Sequence, residues 1–355
     1  MRPSTIREIL KVTAQPEVIS FAGGLPAPEL FPVAEIKAAA DFVLSNNGSE
    51  ALQYSESEGF RPLRDWIAAE MGQRGIKAAA DDVLITNGSQ QGLDLVGKLF
   101  LNPGDVVLTE NPTYLAAIQA FQTFEAEFVP VPTDADGLIP EALPDLIKKH
   151  RPKFLYSIPN FQNPTGITMS APRRQTLAKI AAEYALTVVE DDPYGKLRYR
   201  GAEIPPVKHW DTAGRIIYAS TFSKTIAPGL RIGWLALPSA LFNRTLILKQ
   251  ASDLHTSSFD QRVAHTFLTQ NDQKIHLEKS AAPTASATAS STMRCVPPCR
   301  AASRGPSPRA ACLCGSPARR TSTPWSCWSA QSSRKSRSSP AVISSPPTAG
   351  KTASA

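Results

Sequence analysis

Residues 216–224 read Ile-Ile-Tyr-Ala-Ser-Thr-Phe-Ser-Lys, and residues 186–194 read Leu-Thr-Val-Val-Glu-Asp-Asp-Pro-Tyr. Each begins with a short apolar run typical of a buried strand and ends in polar residues. The runs at 82–86, 105–110, 154–159 and 231–237 have the same character, and Ala- or Leu-rich amphipathic stretches separate most of them. This alternation predicts an α/β fold of three layers, α/β/α, whose mostly parallel sheet is covered on both faces.

Charge is divided unevenly along the chain. The 355 residues have a formal net charge of +7, but ten of the 38 Lys and Arg residues and none of the 31 Asp and Glu residues follow Lys279. Residues 1–279 therefore have a net charge of −3, which argues against nucleic acid as a partner.

No apolar run is long enough to predict a membrane span. The first residues also lack the features of a signal peptide, so we expect a cytoplasmic protein with no membrane partner.

Cysteine follows the same division. The cysteines are Cys295, Cys299, Cys312, Cys314 and Cys327, and all of them follow Lys279. A disulfide framework would distribute them through a secreted fold, so we reject one. Cys295 and Cys299 resemble part of a zinc site, but no histidine follows His276 to complete it, so we expect no metal.

The chain divides into three predicted segments. Residues 1–50 form a Pro/Gly-rich arm followed by a first helix near Val33 to Leu44. Residues 51–279 contain the alternating strands and helices of a ligand-binding domain. Residues 280–355 are rich in Ser, Ala, Pro and Arg without acids or apolar period, which is typical of a disordered tail. Ligands of such folds bind at the carboxyl ends of the strands, where the connecting turns gather.

Lys224 is the first candidate functional residue. It follows a predicted strand, Ser223 and Thr225 flank it, and Arg231 comes seven residues later. A lysine in this setting can form an imine with an aldehyde while its neighbours hold a phosphate. The alternative is a solvated loop lysine beside a structural turn.

Residues 87–91, Asn-Gly-Ser-Gln-Gln, follow another predicted strand and open a helix. The free N–H groups and dipole of a helix start favour an anion there, although an ordinary helix cap has the same appearance. Asn163, in Asn-Pro-Thr-Gly at 163–166, follows the strand at 154–159 and can donate to a phenolate oxygen. An ordinary Pro-Gly turn is the alternative.

Asp191 ends a strand that we expect to be buried on both faces. A carboxylate in that position needs a hydrogen-bonding partner, and a pyridinium N–H would supply one. An acid on a surface turn is the alternative.

The order of the segments is more specific than any one of them. The segments are, in order, Gly23-Gly24-Leu25-Pro26, Tyr54 with Gly59 and Leu63-Arg64, Gly88-Ser89-Gln90-Gln91, Asn163-Pro164-Thr165-Gly166, Asp191 to Tyr194, and Ser223-Lys224 to Arg231. In sequence and order they resemble class I, fold-type-I aminotransferases that depend on pyridoxal 5'-phosphate. The branch containing the 2-aminoadipate and kynurenine aminotransferases is the most similar. The resemblance extends over residues 4–279 and implies the large domain of the pyridoxal-phosphate transferase fold.

The resemblance also implies roles for individual residues. Lys224 would hold the cofactor as a Schiff base and, once released, move a proton between the substrate Cα and cofactor C4'. Asp191 would pair with the pyridine nitrogen. Tyr194 and Asn163 would bond the phenolic oxygen, and Tyr114 would stack on the ring. The phosphate would be held by Ser89, Gln90, Thr221, Ser223 and Arg231.

The resemblance further implies an interface and a substrate pocket. Tyr54 would reach the phosphate of a neighbouring subunit, which makes the active unit a homodimer. Gly24 and Asn163 would line the substrate pocket. Arg7 would meet the distal carboxylate of the substrate, although a surface charge on a helix is the alternative. The partners would be an amino acid and a 2-oxo acid.

The family pattern stops after Lys279. Family members continue with a small domain that includes a Gly-Gly-Met-Phe-Val-Trp strand and a late Asn-x-Leu-Arg segment, and neither occurs in residues 280–355. The genetic code allows a test of a shifted reading frame, in which each codon consists of the third base of one residue's codon and the first two bases of the next residue's codon. In that frame the codons of Ala310 to Gly315 can encode Gly-Gly-Met-Phe-Val-Trp. Gly350 to Ala355 permits Gly-Lys-Asn-Ser-Leu-Arg. We therefore interpret residues 280–355 as the product of a single-base frameshift that replaced the small domain.

Three functions are compatible with these observations. The first is an aminotransferase that exchanges the amino group of a dicarboxylic or aromatic amino acid with 2-oxoglutarate. The second is an inactive remnant that binds the cofactor without turnover. The third is a cofactor-sensing regulatory module, which would require an N-terminal winged-helix segment, and the sequence begins at the arm instead.

Overall fold

The computed structural model describes residues 25–198 and 200–278. Within them, seven strands form one sheet in the order β1-β9-β8-β7-β6-β2-β3, and β4 and β5 pair separately. The strands are β1 Val83–Asn87, β2 Val106–Thr109, β3 Glu127–Pro130, β4 Thr133–Asp134, β5 Gly137–Leu138, β6 Phe154–Ser157, β7 Thr187–Asp191, β8 Ile216–Thr221 and β9 Ile232–Ala236.

The sheet is mostly parallel, as predicted. Strand β9 runs antiparallel to both β1 and β8, whereas β8, β7, β6, β2 and β3 pair in parallel. All six predicted apolar runs form strands of this sheet. The sequence did not predict β3, an edge strand whose four residues show no fully buried position. Parallel pairing brings the carboxyl ends of β6, β7 and β8 to one edge of the sheet.

Helices cover both faces. They are α1 Val33–Ala51, α2 Arg61–Gln73, α3 Gly88–Phe100, α4 Leu115–Gln122, α5 Leu143–His150, α6 Ala171–Glu183, α7 Ser239–Asp253 and α8 Ser258–Gln270. Helix α1 is longer than the predicted 33–44, because it continues to Ala51 past a kink at Asn47. No helix in the described ranges is both long and apolar enough to cross a membrane.

Successive residues of a strand pack into different layers. In β6, Phe154 and Tyr156 belong to the apolar cluster shared with α3 and α4, whereas Leu155 belongs to the cluster shared with α6. In β8, Ile217 belongs to the cluster shared with α3 and α4. Tyr218 packs with residues of α1, α2 and α8 on the opposite face of the sheet. This two-residue period produces strands that are buried on both faces. It also decides which polar residues share a face at the strand ends.

A buried arginine supports the loops beyond β6. The side chain of Arg174, in α6, is fully buried. Its guanidinium donates to the carbonyl oxygens of Met169 and Pro159 at 3.0 Å and to Asn160 Oδ1 at 2.7 Å. A buried guanidinium needs such acceptors because an unpaired charge in the interior is costly. The network fixes the chain where it leaves β6 and turns toward Asn163.

Several sequence predictions lie outside the described residues. They include Arg7, Gly24, the five cysteines and the whole segment 280–355. The division at residue 50 stays a prediction. Within the described residues, Ala39 and Val43 of α1 share an apolar cluster with Ile67 of α2.

Candidate active site

A cleft of about 350 Å³ lies where β6, β7 and β8 end beside the start of α3. Its volume is in the range of small-molecule sites. Ten of the eleven residues predicted to bind the cofactor line it. The lining residues are Ser89, Gln90, Tyr114, Ile158, Asn163, Asp191, Pro193, Tyr194, Thr221, Ser223, Lys224, Pro228 and Arg231.

Asp191 is 2% exposed at the end of β7. Its Oδ2 atom accepts a hydrogen bond of 2.7 Å from the Tyr156 hydroxyl. Its Oδ1 atom is buried and has no hydrogen-bond partner among the described residues. Burial raises the pKa of Asp191 to about 7; the hydrogen bond from Tyr156 opposes this shift, whereas the nearby charges of Asp192 and Glu110 add to it. The site therefore presents a buried acceptor that lacks a donor.

Lys224 lies in the turn after β8 and its side chain is half-buried. Burial lowers the pKa of its amine, because water no longer stabilises the charged form as well. A lowered pKa increases the fraction of neutral amine, which is the form that attacks an aldehyde. The geometry thus combines an amine nucleophile and a buried carboxylate in one cleft.

The opposite end of the cleft is suited to an anion. Arg231 is exposed, and its guanidinium donates to the carbonyl oxygen of Asn87 at 3.3 Å and to Ser223 Oγ at 3.5 Å. Ser89 and Gln90 open helix α3, where unpaired N–H groups and the helix dipole add positive potential. These groups together form a cradle that a phosphate dianion fits.

Gly88 makes this close approach possible. Its φ of +69° lies in the left-handed region, and a Cβ added there would lie 2.3 Å from Arg231 Nη2. Only a residue without a side chain allows the arginine to lie directly against the start of α3.

A buried lysine supports the start of α3 from behind. Lys249, in α7, is fully buried and donates to Asp253 Oδ1 at 2.8 Å and to Gln91 Oε1 at 3.1 Å. Gln91 Oε1 also accepts from the Asn87 backbone N–H at 2.8 Å, and the Asn87 amide donates to Asp253 at 2.5 Å. The sequence did not indicate Lys249 or Asp253, because neither lies in a recognisable motif.

Asn163, Tyr194 and Tyr114 lie around the middle of the cleft. The Asn163 amide donates to the Tyr194 hydroxyl at 3.3 Å. Burial raises the pKa of Tyr194, with the Asn163 hydrogen bond opposing the shift and Asp191 adding to it. Burial also raises the pKa of Tyr114 to about 12, so both phenols are protonated at neutral pH.

Two buried residues that sequence reasoning missed join the loops of this site. Glu110 is fully buried after β2 and accepts from the Ser157 hydroxyl at 2.6 Å and from Gln162 Nε2 at 3.3 Å. Gln162 also donates to the carbonyl oxygen of Pro112 at 2.8 Å and accepts from Thr165 N–H at 2.9 Å. This chain of bonds ties the loop before Tyr114 to the loop that contains Asn163. The sequence signal that could have identified Glu110 was a single acidic residue directly after a buried strand.

One residue predicted to bind the cofactor does not line the cleft of its own chain, and two predicted substrate contacts lie outside the described residues. Tyr54 is 79% exposed and makes an edge contact with the His255 ring at 5.8 Å between centroids. It does not line the cleft of its own chain, and its role toward a neighbouring subunit stays a prediction. Gly24 and Arg7 lie outside the described residues.

Comparisons with known proteins identify relatives of this arrangement. The family model described as "Aminotransferase class I and II" matches residues 17–292. Aromatic-amino-acid aminotransferase 1 of Thermococcus litoralis is 46% identical over 285 residues, which cover 79% of this chain and 68% of that protein. The 2-aminoadipate transaminase of Thermus thermophilus is 46% identical over 272 residues, which cover 76% of this chain and 67% of that protein.

A solved structure agrees in fold. The α-aminoadipate aminotransferase of Thermus thermophilus, complexed with N-(5'-phosphopyridoxyl)-L-leucine, superimposes with a TM-score of 0.76 at 41% identity. The match covers 83% of this chain and 75% of that chain.

Replacing Gly88 should weaken binding at the phosphate end of the cleft. In Gly88→Ala the new Cβ displaces Arg231, so we expect the dissociation constant for pyridoxal 5'-phosphate to rise at least about ten-fold, the equivalent of one charge-assisted hydrogen bond. Fluorescence titration with pyridoxal 5'-phosphate and with pyridoxal would measure both affinities. The loss should be confined to the phosphorylated compound.

Gly104→Ala is the matched control. Gly104 also has a positive φ, +81°, but nothing lies within 4 Å of the position that an alanine Cβ would occupy there. It shares the backbone strain, about 1–2 kcal/mol of stability, without the clash. Equal losses of pyridoxal and pyridoxal 5'-phosphate affinity in Gly88→Ala would contradict the assignment of the cradle to phosphate.

Proposed function

Because this chain belongs to the class I and II aminotransferase family, we propose that it transfers the amino group of an aromatic or dicarboxylic amino acid to a 2-oxo acid such as 2-oxoglutarate. The substrate classes follow from the printed names of its relatives, an aromatic-amino-acid aminotransferase and a 2-aminoadipate transaminase. The observation that most strongly supports the cleft as the site is the unpartnered Oδ1 of Asp191, placed in the same cleft as Lys224.

The cofactor of the enzyme is pyridoxal 5'-phosphate. When bound, it supplies an aldehyde that takes up the amino group and a ring that accepts electrons released at the substrate Cα. The cleft residues fit it at both ends. Within the described residues Asp191 Oδ1 lacks a donor, which a protonated ring nitrogen would provide, and the cradle around Arg231 offers the positive charge and the donors that a phosphate needs.

Each cleft residue has a proposed task. Asp191 holds the proton on the ring nitrogen, because a buried carboxylate is most stable beside a cation. Asn163 and Tyr194 would donate to the phenolic oxygen, and Tyr114 would cover one face of the ring. Ser89, Gln90, Thr221, Ser223 and Arg231 bind the phosphate. Asn163 also faces the substrate pocket, with Gly24 and Arg7 proposed as further substrate contacts.

Lys224 has two proposed tasks. Its Nζ would hold the cofactor as a Schiff base. As a neutral amine it would also move a proton between the substrate Cα and cofactor C4'. Burial favours this role, since it lowers the pKa of Lys224 and so increases the fraction of amine that can accept a proton.

We also propose a homodimer with Tyr54 shared across the interface. Tyr54 and Leu52 lie just after α1 with 79% and 72% of their surfaces exposed, and Leu254, next to the Tyr54 contact His255, is 48% exposed. Exposed apolar surface of this kind supports a protein interface.

A cytoplasmic location is part of the proposal, because residues 1–279 contain no cysteine and need no oxidising compartment.

The last proposal concerns residues 280–355. The family match ends at residue 292, and the two relatives above are covered over only 68% and 67% of their lengths. Both facts support the interpretation that a frameshift near Lys279 replaced a small domain. That domain would supply an arginine for the substrate carboxylate, a bidentate contact that no lysine replaces.

Borohydride should attach the cofactor to Lys224. Reduction of the protein with bound pyridoxal 5'-phosphate converts the imine to a stable amine, and peptide mapping should place the pyridoxyl group on that lysine. Lys249 is an internal control, since burial lowers its pKa as well but Asp253 and Gln91 bind it. Labelling of Lys249 instead, or of no lysine in a folded sample, would refute the proposed site.

Restoring the reading frame should restore activity. We would express residues 1–355 as given and a second version with one base inserted at codon 279, and measure solubility, oligomeric state, cofactor content and glutamate-dependent transamination. The repaired protein should be a soluble, active dimer, whereas the given chain should show little turnover because it lacks the carboxylate clamp. Equal kcat/KM for the two versions would show that residues 280–355 are a genuine domain. Cofactor binding by both without turnover by either would favour the remnant.

A further inference from the structure

Tyr156 lies inside β6, one residue before its end, and is fully buried. It belongs to the same apolar cluster as Val189 of the neighbouring strand β7. Asp191 follows Val189 by two residues and therefore projects from the same face of the sheet. The Tyr156 hydroxyl reaches Asp191 Oδ2 at 2.7 Å, a full-strength hydrogen bond.

This bond distinguishes the two oxygens of one carboxylate. A carboxylate is planar, so a hydrogen bond that fixes Oδ2 also fixes the direction of Oδ1. Oδ1 is the oxygen without a partner among the described residues, and Asp191 lines the cleft. Without the Tyr156 bond, the carboxylate would be free to rotate and either oxygen could turn away.

From this geometry we propose that Tyr156 is a positioning residue, whose hydroxyl holds the Asp191 carboxylate turned so that Oδ1 would meet the ring nitrogen of the cofactor. The inference rests on the proposed function of the cleft. It adds a residue that never touches the cofactor and acts only through Asp191.

The surroundings of Asp191 explain why such a residue is needed. The charged and titratable groups around it are Asp192 directly after β7, Glu110 after β2, Tyr114 and Tyr194 in the loops, Tyr156 in β6, and Lys224, which lines the same cleft. Burial and the two acids all raise the pKa of Asp191, and the Tyr156 hydrogen bond is the cause that lowers it. Removing the hydroxyl therefore raises this pKa further, and the carboxylate becomes neutral at a higher pH.

The sheet contains a matched control on its other face. Tyr218, in β8, is also buried and donates to Asp192 Oδ2 at 3.0 Å. Asp192 differs from Asp191 in having the further partners Arg74 at 2.9 Å and Asn160 at 3.0 Å, and it does not line the cleft. Tyr218→Phe thus removes a tyrosine hydroxyl from the same sheet without removing a hydrogen bond from Asp191.

The test is titration of the full chain with pyridoxal 5'-phosphate between about pH 6 and pH 9, with the bound form followed by absorbance. In Tyr156→Phe the dissociation constant at pH 7 should rise about ten-fold, the loss expected for one hydrogen bond to a charged group. The pH below which affinity declines should also move upward. Tyr218→Phe should bind like the unmodified chain at every pH. An unmoved pH profile in Tyr156→Phe, or an equal loss in Tyr218→Phe, would overturn the proposal.

Two further variants keep the test decisive. In an Asp191→Asn background, Tyr156→Phe should change the affinity less than about two-fold, because two residues that act as a unit are not additive. An undiminished ten-fold effect there would show that Tyr156 does not act through Asp191.

If Tyr156→Phe fails to fold, Tyr156→3-fluorotyrosine retains the ring and donates more strongly. The pH profile should then move downward, and an unmoved profile again overturns the proposal. The proposed function fails separately, if the unmodified chain binds no cofactor at Lys224.

Discussion

A buried carboxylate with one satisfied oxygen is the constraint on which the site depends. Asp191 is removed from water at the end of β7, and only Tyr156 donates to it among the described residues. Leaving a buried acceptor unpaired costs about 1–3 kcal/mol. The cost is recovered when a cation or an N–H donor enters the cleft. The site therefore suits a protonated heterocycle, and the proposed role of Asp191 is to keep that ring protonated.

The rest of the fold holds this carboxylate and its neighbours in place. The parallel order of β6, β7 and β8 brings the strand ends together, and Glu110 with Gln162 joins the loops that contain Tyr114 and Asn163. Behind the phosphate cradle, Lys249 and its partners fix the start of α3. Most of these supporting groups are buried polar side chains that hydrogen-bond to one another. Such networks are costly to disturb, so they keep the cleft residues in one arrangement.

Sequence reasoning predicted Asp191, Asn163 and Lys224 as site residues and missed the supporting residues Tyr156, Glu110 and Lys249. Asp191, Asn163 and Lys224 were predictable, because each follows an apolar run and a polar group there has to face a ligand or solvent. Tyr156 was not, because a tyrosine inside a buried strand is indistinguishable from core until its hydroxyl partner is known. Lys249 and Glu110 depend on contacts 158 and 47 residues away along the chain. The edge strand β3 was missed because none of its four residues is fully buried and its two partly buried residues are adjacent, so it shows neither a buried run nor an alternation.

The state of the cofactor's ring nitrogen tests the central claim most directly. We would bind pyridoxal 5'-phosphate labelled with ¹⁵N in the ring and record the ¹⁵N chemical shift of the complex above neutral pH, in the unmodified chain and in Asp191→Asn. The account predicts a shift typical of pyridinium in the unmodified chain and one typical of neutral pyridine in Asp191→Asn, because only the carboxylate stabilises the positive ring. A neutral pyridine shift in the unmodified chain, or a pyridinium shift that persists in Asp191→Asn, would contradict it.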